Sequence, residues 1–196
     1  IIAFNSRKHI KNNFFTFIGT GYLFVGMIDL LHTLAYKGMG VFPGYGTNLT
    51  VQLWISARYL ESFMLIFGLI FISYYRNTDY KKIFSVFFMV SSIILISIFY
   101  IPVFPVTYIE GSGLTSFKIY SEYLISIILF FTLIYIYKNK DLFTRYVFIL
   151  IFFSVLLTIF SEIAFTMYVG VYGHISMIGH IFKLVSFLLI YESLVV

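Results

Sequence analysis

Apolar positions do not alternate with polar ones along this chain; they fill six long segments. These run Asn12–Tyr36, Leu49–Tyr75, Ile83–Ile101, Ile119–Tyr137, Tyr146–Val169 and Ile175–Val195. Each is close to or above the ~20 residues a helix needs to cross ~30 Å of hydrocarbon at ~1.5 Å per residue. A membrane β-strand would show ~10 residues of strict alternation instead. The pattern predicts an all-α fold, a polytopic transmembrane helical bundle of six full spans. The chain opens IIAFNSRKH without an initiator Met. Ile1–Phe4 reads as the tail of a preceding helix, so residues 1–196 are expected to be one membrane-embedded domain cut from a longer protein. No cationic start, short apolar core and small-residue cleavage site follow in order, which argues against a signal peptide.

Composition excludes the alternatives. The 196 residues are 61% hydrophobic and 11% charged, with 25 Phe and 17 Tyr. Ordinary globular chains carry about a quarter charged residues, and a water-soluble fold of this length could not cover its surface with so few. The absence of cysteine rules out disulfides, thiol catalysis and cysteine-ligated metal centres.

The formal charge of +5 matters less than where it falls. Arg7, Lys8 and Lys11 precede the first full span; Arg76, Lys81 and Lys82 join the second to the third; Lys138, Lys140 and Arg145 join the fourth to the fifth. The alternate connections carry only Lys37 and Lys118, and the turn around Gly170–Gly173 has no basic residue. By the positive-inside rule the basic turns are cytoplasmic and the long Gly- and Pro-bearing loops lie outside. The chain end at Val196 then returns to the cytoplasm, and the protein is expected in the cytoplasmic (inner) membrane. Tyr36, Tyr75, Tyr100 and Tyr137 at span ends suit an interfacial aromatic belt.

Charges inside the spans point to chemistry. Asp29, Arg58, Glu61, Glu122, Glu162 and Lys183 fall within them, with His32 and His180, and ionisable groups at such depth usually face a bundle interior, a partner or a water-filled cavity. Helical spacing sorts them by face: Asp29, His32 and Thr33; Trp54, Arg58 and Glu61; Lys118 and Glu122; Thr158 and Glu162; Ser176, His180 and Lys183. Arg58 lies about 13 Å inside the outer end of its span, and Glu162 and His180 about 8–11 Å inside theirs, at the helical rise. Since successive helices reverse direction, this shared depth predicts a polar pocket in the outer half of the bundle. Arg58–Glu162 or Lys183–Glu61 contacts are expected across helices, with no pairing chosen by the sequence, and electrostatics would favour a small polar or charged ligand. Buried ion pairs can equally well hold helices together without binding anything; for any one residue that explanation stands on equal footing. Spread over five helices, the set is more than packing requires.

Other chemistry is weaker. His32, His180, Asp29 and Glu162 would supply a nitrogen–oxygen donor set for a divalent metal, and the two imidazoles could ligate a haem axially. No HExxH or HxH spacing supports either, and the nearby bases oppose a cation, so metal and haem are the weaker readings and the cofactor stays open. His9 reads as interfacial and His174 as solvated. Gly19, Gly21 and Gly26 sit within a span and suit close helix packing rather than phosphate binding. The hydroxyl–base arrangement in SARYLES lacks a histidine partner, the FFTF run reads as lipid-facing or packing surface, and the basic turns are not a nucleic-acid patch.

On the residues already singled out, the chain resembles the third class of membrane-associated sensor domains of bacterial and archaeal signalling proteins. The likeness lies in GYLFVGMIDLLHTLAYKGMG (Gly21–Gly40), NLTVQLWISARYLES (Asn48–Ser62), Phe104–Pro105 with GSGLTSFKIYSEY (Gly111–Tyr123), SEIAFTMYV (Ser161–Val169) and GHIFKLVSFLLIYES (Gly179–Ser193). Asp29, His32, Lys37, Trp54, Arg58, Glu61, Lys118, Glu122, Glu162, His180 and Lys183 match the family's characteristic polar positions. Ser116 stands where a Pro usually follows GLT, and Val106 where an acid is expected after FP. The resemblance implies a receptor bundle that senses a small ligand through these residues and precedes a cytoplasmic PAS, histidine-kinase or diguanylate-cyclase module in the same chain. Homodimerisation through that module would follow, while the domain itself would have no catalytic activity. The alternative is a small transporter or an ion- or proton-binding membrane module, since proton relays also use buried Asp, Glu and His. Against it, the cytoplasmic half of the spans is almost wholly apolar and no inverted repeat is visible.

Overall fold

The computed structural model describes residues 13–74, 79–167 and 173–195. Six helices carry the fold: α1 (Asn13–Leu34), α2 (Thr47–Tyr74), α3 (Tyr80–Phe99), α4 (Ser116–Lys138), α5 (Arg145–Thr166) and α6 (His174–Val195). All six are long and apolar enough to cross a membrane. Hydrocarbon offers no water to satisfy peptide groups, so apolar runs of this length close their backbone hydrogen bonds internally, as helices. The protein is a multi-pass bundle embedded in the bilayer, as segment length predicts. The tail of a preceding helix at Ile1–Phe4, the residues Arg7, Lys8, His9, Lys11, Tyr75 and Arg76, and Val169 and Gly170 lie outside the described residues.

Helices α2 to α6 start one to three residues before the apolar pattern does, and in α3, α4 and α5 polar side chains hold the first turns. Asp79 accepts from the Lys81 amide at 2.9 Å, Thr115 from Lys118 at 3.3 Å and Thr144 from Val147 at 3.4 Å, each supplying an acceptor to an otherwise unpaired donor. The connection from α3 to α4 holds the one departure from an all-α fold among the described residues. Here β1 (Tyr108–Ile109) and β2 (Gly113–Leu114) pair antiparallel. Gly111 and Gly113, at φ 83° and 90°, adopt the left-handed backbone that the reversal needs. Asn48 fastens this hairpin to the start of α2, its Oδ1 accepting from the amides of Thr107 at 2.8 Å and Tyr108 at 3.0 Å. The loops after α1 and α3 therefore lie at one end of the bundle, termed the loop end below.

One helix is central. In α2 72% of the span is buried, against 22–44% in the other five. α1 packs along α2 and α3, α4 along α2 and α5, and α5 along α6. Among the described residues, the extensive backbone packing of α6 is with α5 alone. Small residues allow two of these approaches: a Cβ on Gly21 would lie 2.1 Å from Met64 Sδ, and one on Gly179 would lie 2.8 Å from the Phe165 ring. Gly26 departs from the packing role expected of it; it is exposed, with nothing within 4 Å of its would-be Cβ. Of the FFTF run, Phe14 is core and not lipid-facing.

Candidate functional site

Central α2 presents Trp54, Arg58 and Glu61 on one stripe, and two helices bring partners to it. Asp29 of α1 takes both oxygens to Arg58 Nη2, at 2.5 and 2.6 Å. Arg58 Nη1 donates to Glu61 Oε2, as does Lys183 Nζ of α6. Tyr22 completes the set by donating to Glu61 Oε1 at 3.0 Å. Two cations and two carboxylates thus neutralise one another. Arg58 and Glu61 are each 1% exposed and Lys183 3%, while the Asp29 side chain keeps 19%. Aromatic faces shield the cations: Arg58 lies 4.6 Å from the Trp54 ring centroid, and Lys183 4.8 Å from that of Phe187. Such contacts gain strength where water is excluded.

Toward the loop end the stripe becomes aromatic. Thr50, one turn before Trp54, accepts at its backbone carbonyl from His32 Nδ1 at 2.8 Å. Trp54 has the His32 ring at 5.2 Å, His180 at 5.3 Å and Phe165 at 4.6 Å, centroid to centroid. Tyr36 Oη lies 3.3 Å from His180 Nε2. Between α1 and α6 these groups border a cleft of about 410 Å³, lined by Asp29, His32, Tyr36, Trp54, His180 and Lys183 among others. A void of about 20 Å³ behind it is bordered by the same two histidines, Tyr36 and Trp54.

Lys118, Glu122 and Glu162 form a second cluster, between α4 and α5. Lys118 Nζ lies 3.0 Å from Glu122 Oε1 and donates to the Phe165 carbonyl near the end of α5. Glu162 abuts Glu122, and all three residues are 0% exposed. Of the ten candidate residues, Asp29, His32, Trp54, His180 and Lys183 line the cleft, and Arg58 and Glu61 are bonded to that wall through Asp29 and Lys183. Lys118, Glu122 and Glu162 form the second cluster, with Glu162 near enough to Arg58 and Lys183 to feel their charge.

Of the two contacts expected as alternatives, Arg58–Glu162 gives way to the pairing of Arg58 with Asp29 and Glu61, because α1 packs directly along α2. One expectation needs correction. Lys118 is no loop cation: the Thr115 cap draws it into the first turn of α4, where it is fully buried. The other expected contact, Lys183–Glu61, is formed.

Several contributors escaped sequence reasoning. Tyr22 stands two turns from Asp29 on the same face, and Thr50 sits one turn from Trp54; helical spacing could have found both. Phe187 carries no such polar signal. The hypothetical metal quartet is not assembled, since Glu162 belongs to the second cluster and Trp54 packs against both imidazoles. Among the described residues no three His, Asp or Glu side chains group to hold a metal ion.

Away from the clusters, the polar contacts between α5 and α6 are hydroxyl contacts. Ser154 and Thr158 meet Ser186 at 2.9 and 2.7 Å, and Ser161 donates to the Gly179 carbonyl at 2.8 Å. These pin α6 to α5, whereas α6 meets α1 and α2 through the side chains around the cleft.

No curated protein and no solved structure matches the chain. A family model does, over residues 1–196, and it is that of the MASE3 membrane-associated sensor domain. Six apolar helices around a buried polar interior accord with it, and the chain belongs to this family of membrane sensor domains.

Proposed function

We propose that this sensor domain is the input half of a transmembrane receptor. It binds a small ligand in the cleft between α1 and α6, on the outer side of the membrane, and α6 carries the change to a cytoplasmic kinase or cyclase module after Val196. One observation carries the reading: among the described residues the extensive backbone packing of α6 is with α5, and it reaches α1 and α2 across polar and aromatic side chains that line the cleft. A ligand seated there bears on Lys183–Glu61 and Tyr36–His180, the contacts that position α6 against the rest of the bundle. Binding that favours one arrangement of α6 shifts its population, and the helix transmits the shift along its axis. The basic turns support a cytoplasmic C-terminus.

The test uses the receptor with its output module. Lys183→Met removes the ammonium and keeps an unbranched stem; His180→Ala removes the Tyr36 contact. At matched membrane abundance, both should change basal kinase or cyclase activity or its ligand response. Unchanged output in both would reduce the cleft to a structural seam. A reporter after Val196 should be cytoplasmic and one in the 37–46 loop external; the reverse would overturn the orientation.

A further inference from the structure

The cleft also indicates what kind of molecule it takes. Its charges are already spent on one another: Arg58 is held by Asp29 and Glu61, and Lys183 by Glu61. A charged ligand would have to break one of these buried pairs, which leaves the other member uncompensated. Hydrogen-bonding capacity, by contrast, is left over. His32 Nδ1 faces a carbonyl, which can only accept, so Nδ1 carries the proton and Nε2 of the neutral ring is a bare acceptor. That Nε2 is buried and has no partner among the described residues. The Trp54 indole N–H, a donor only, is likewise buried and unpartnered among them. His32 and Trp54 are 7% and 6% exposed, and both line the cleft. Unsatisfied buried polar atoms are rare enough to call for an explanation, and here an acceptor and a donor sit on rings whose centroids are 5.2 Å apart.

Position supplies the rest. Asp29 lies five residues, about 8 Å, inside the loop end of α1, and Lys183 lies nine, about 13 Å, inside that of α6, at the helical rise. The gap between the two helices therefore lies at the depth of the acyl chains. Leu184 on its lip is 61% exposed and Phe187 lines the wall. A volume of about 410 Å³ falls within the ~300–1,000 Å³ of small-molecule pockets.

We propose that the cleft binds an uncharged, bilayer-dissolved molecule with an apolar body and a hydroxyl head, of which a phenol is the simplest case. The molecule enters sideways between α1 and α6. Its hydroxyl donates to His32 Nε2 and accepts from Trp54 Nε1–H, and its body rests against Phe187 and Leu184. This rests on the reading of the cleft as a binding site, and is independent of coupling to an output module.

Trp54 is the only tryptophan in the 196 residues, so its fluorescence reports on the site directly. The chain is reconstituted in phosphatidylcholine vesicles and titrated with a long-chain 4-alkylphenol, its methyl ether, the alkanoate of equal length, and unsubstituted phenol. The alkylphenol should change Trp54 emission saturably. The ether, which cannot donate, should bind at least ten-fold more weakly, as should the alkanoate. Half-saturation by alkylphenol should follow its mole fraction in lipid when vesicle concentration is varied. His32→Phe should lower alkylphenol affinity by a similar factor; the comparison of phenol with ether uses the unaltered chain and survives a folding defect in that variant. Equal affinity for the ether overturns the hydroxyl head, equal or tighter binding of the alkanoate overturns neutrality, and dependence on aqueous concentration alone overturns lateral entry. Emission changes that never saturate overturn the site. Saturable binding without any change in kinase or cyclase output would sink the signalling proposal and leave this one standing; output driven by a water-soluble ligand, without alkylphenol binding, would do the opposite.

Discussion

Arg58 and Lys118 are both cations buried to within 1% of full enclosure, each beside a carboxylate on its own helix. Their surroundings differ. Arg58 adjoins a cleft whose lining leaves a donor and an acceptor unused, and its ionic partners come from α1 and α2. Lys118 joins α4 to α5, donating to a backbone carbonyl and facing Glu122. Buried ions with a cavity beside them can be rearranged by what enters; buried ions enclosed by helices fix only how those helices dock. The same residue types thus do two jobs, and access rather than charge separates them.

The strongest test of that division is to remove one cation from each. Lys118→Met leaves Glu122 and Glu162 facing each other without the ammonium, and should destabilise the bundle by about 3–5 kcal/mol, the range for breaking a buried pair. Thermal unfolding in detergent would read it. Lys183→Met should lose only about 1–3 kcal/mol, because Glu61 keeps its bonds from Arg58 and Tyr22. If the two variants unfold alike, the clusters do not differ in kind. Adding Glu122→Leu to Lys118→Met should restore part of the loss, since replacing both members of a buried pair is often tolerated.

Next in size is the packing of α6. Gly179→Val drives a side chain into the Phe165 ring, 2.8 Å from the would-be Cβ, for a loss of about 1–3 kcal/mol. Gly26→Val, with nothing within 4 Å, should stay within about 0.5 kcal/mol. Equal effects would mean that α6 does not depend on close approach to α5. Smaller again is Ser186→Ala, which removes the hydroxyl shared by Ser154 and Thr158. Interhelical hydrogen bonds in membranes average about 0.6 kcal/mol, so the unfolding midpoint should move slightly and alkylphenol titrations not at all.

How much of this was legible beforehand follows from which distances a sequence encodes. Span lengths and the faces shared by Asp29 and His32, or by Trp54, Arg58 and Glu61, follow from rise and turn, and they were readable. The partner of Arg58 depends on which helix packs against α2, which no spacing within one helix can express. Glu162 has the right depth, but it abuts Glu122 and meets Arg58 and Lys183 through their charge rather than a direct ion pair. Lys118 was misjudged for a local reason. It follows a Gly-bearing loop, but the T-S-F-K run carries its own helix start, with Thr115 capping Lys118 three residues on.

The smallest effect lies outside the lipid, at Glu110 in the hairpin. Its carboxylate accepts from the Thr47 amide at 3.1 Å and the Thr47 hydroxyl at 2.7 Å, at the N-terminus of α2, where a negative charge is favoured. These two hydrogen bonds, with a smaller contribution from Lys37, hold its carboxyl below the ordinary glutamate value of 4.5. A folded-state value below the unfolded one means the contact contributes fully above the ordinary value and fades as pH falls through the folded one. Amide exchange at Thr47 should therefore be slow at neutral pH and quicken only below about pH 4.5, the ordinary value. Glu110→Gln keeps an acceptor oxygen but cannot titrate, so Thr47 should stay protected to lower pH, after correction for intrinsic exchange. Because Glu110 is fully exposed, solvent and salt screen the charge, and the unfolding midpoint should not move. A large shift in that midpoint would mean the hairpin bears on the bundle as strongly as the buried clusters do, and the contrast between enclosed and accessible charge would lose its meaning.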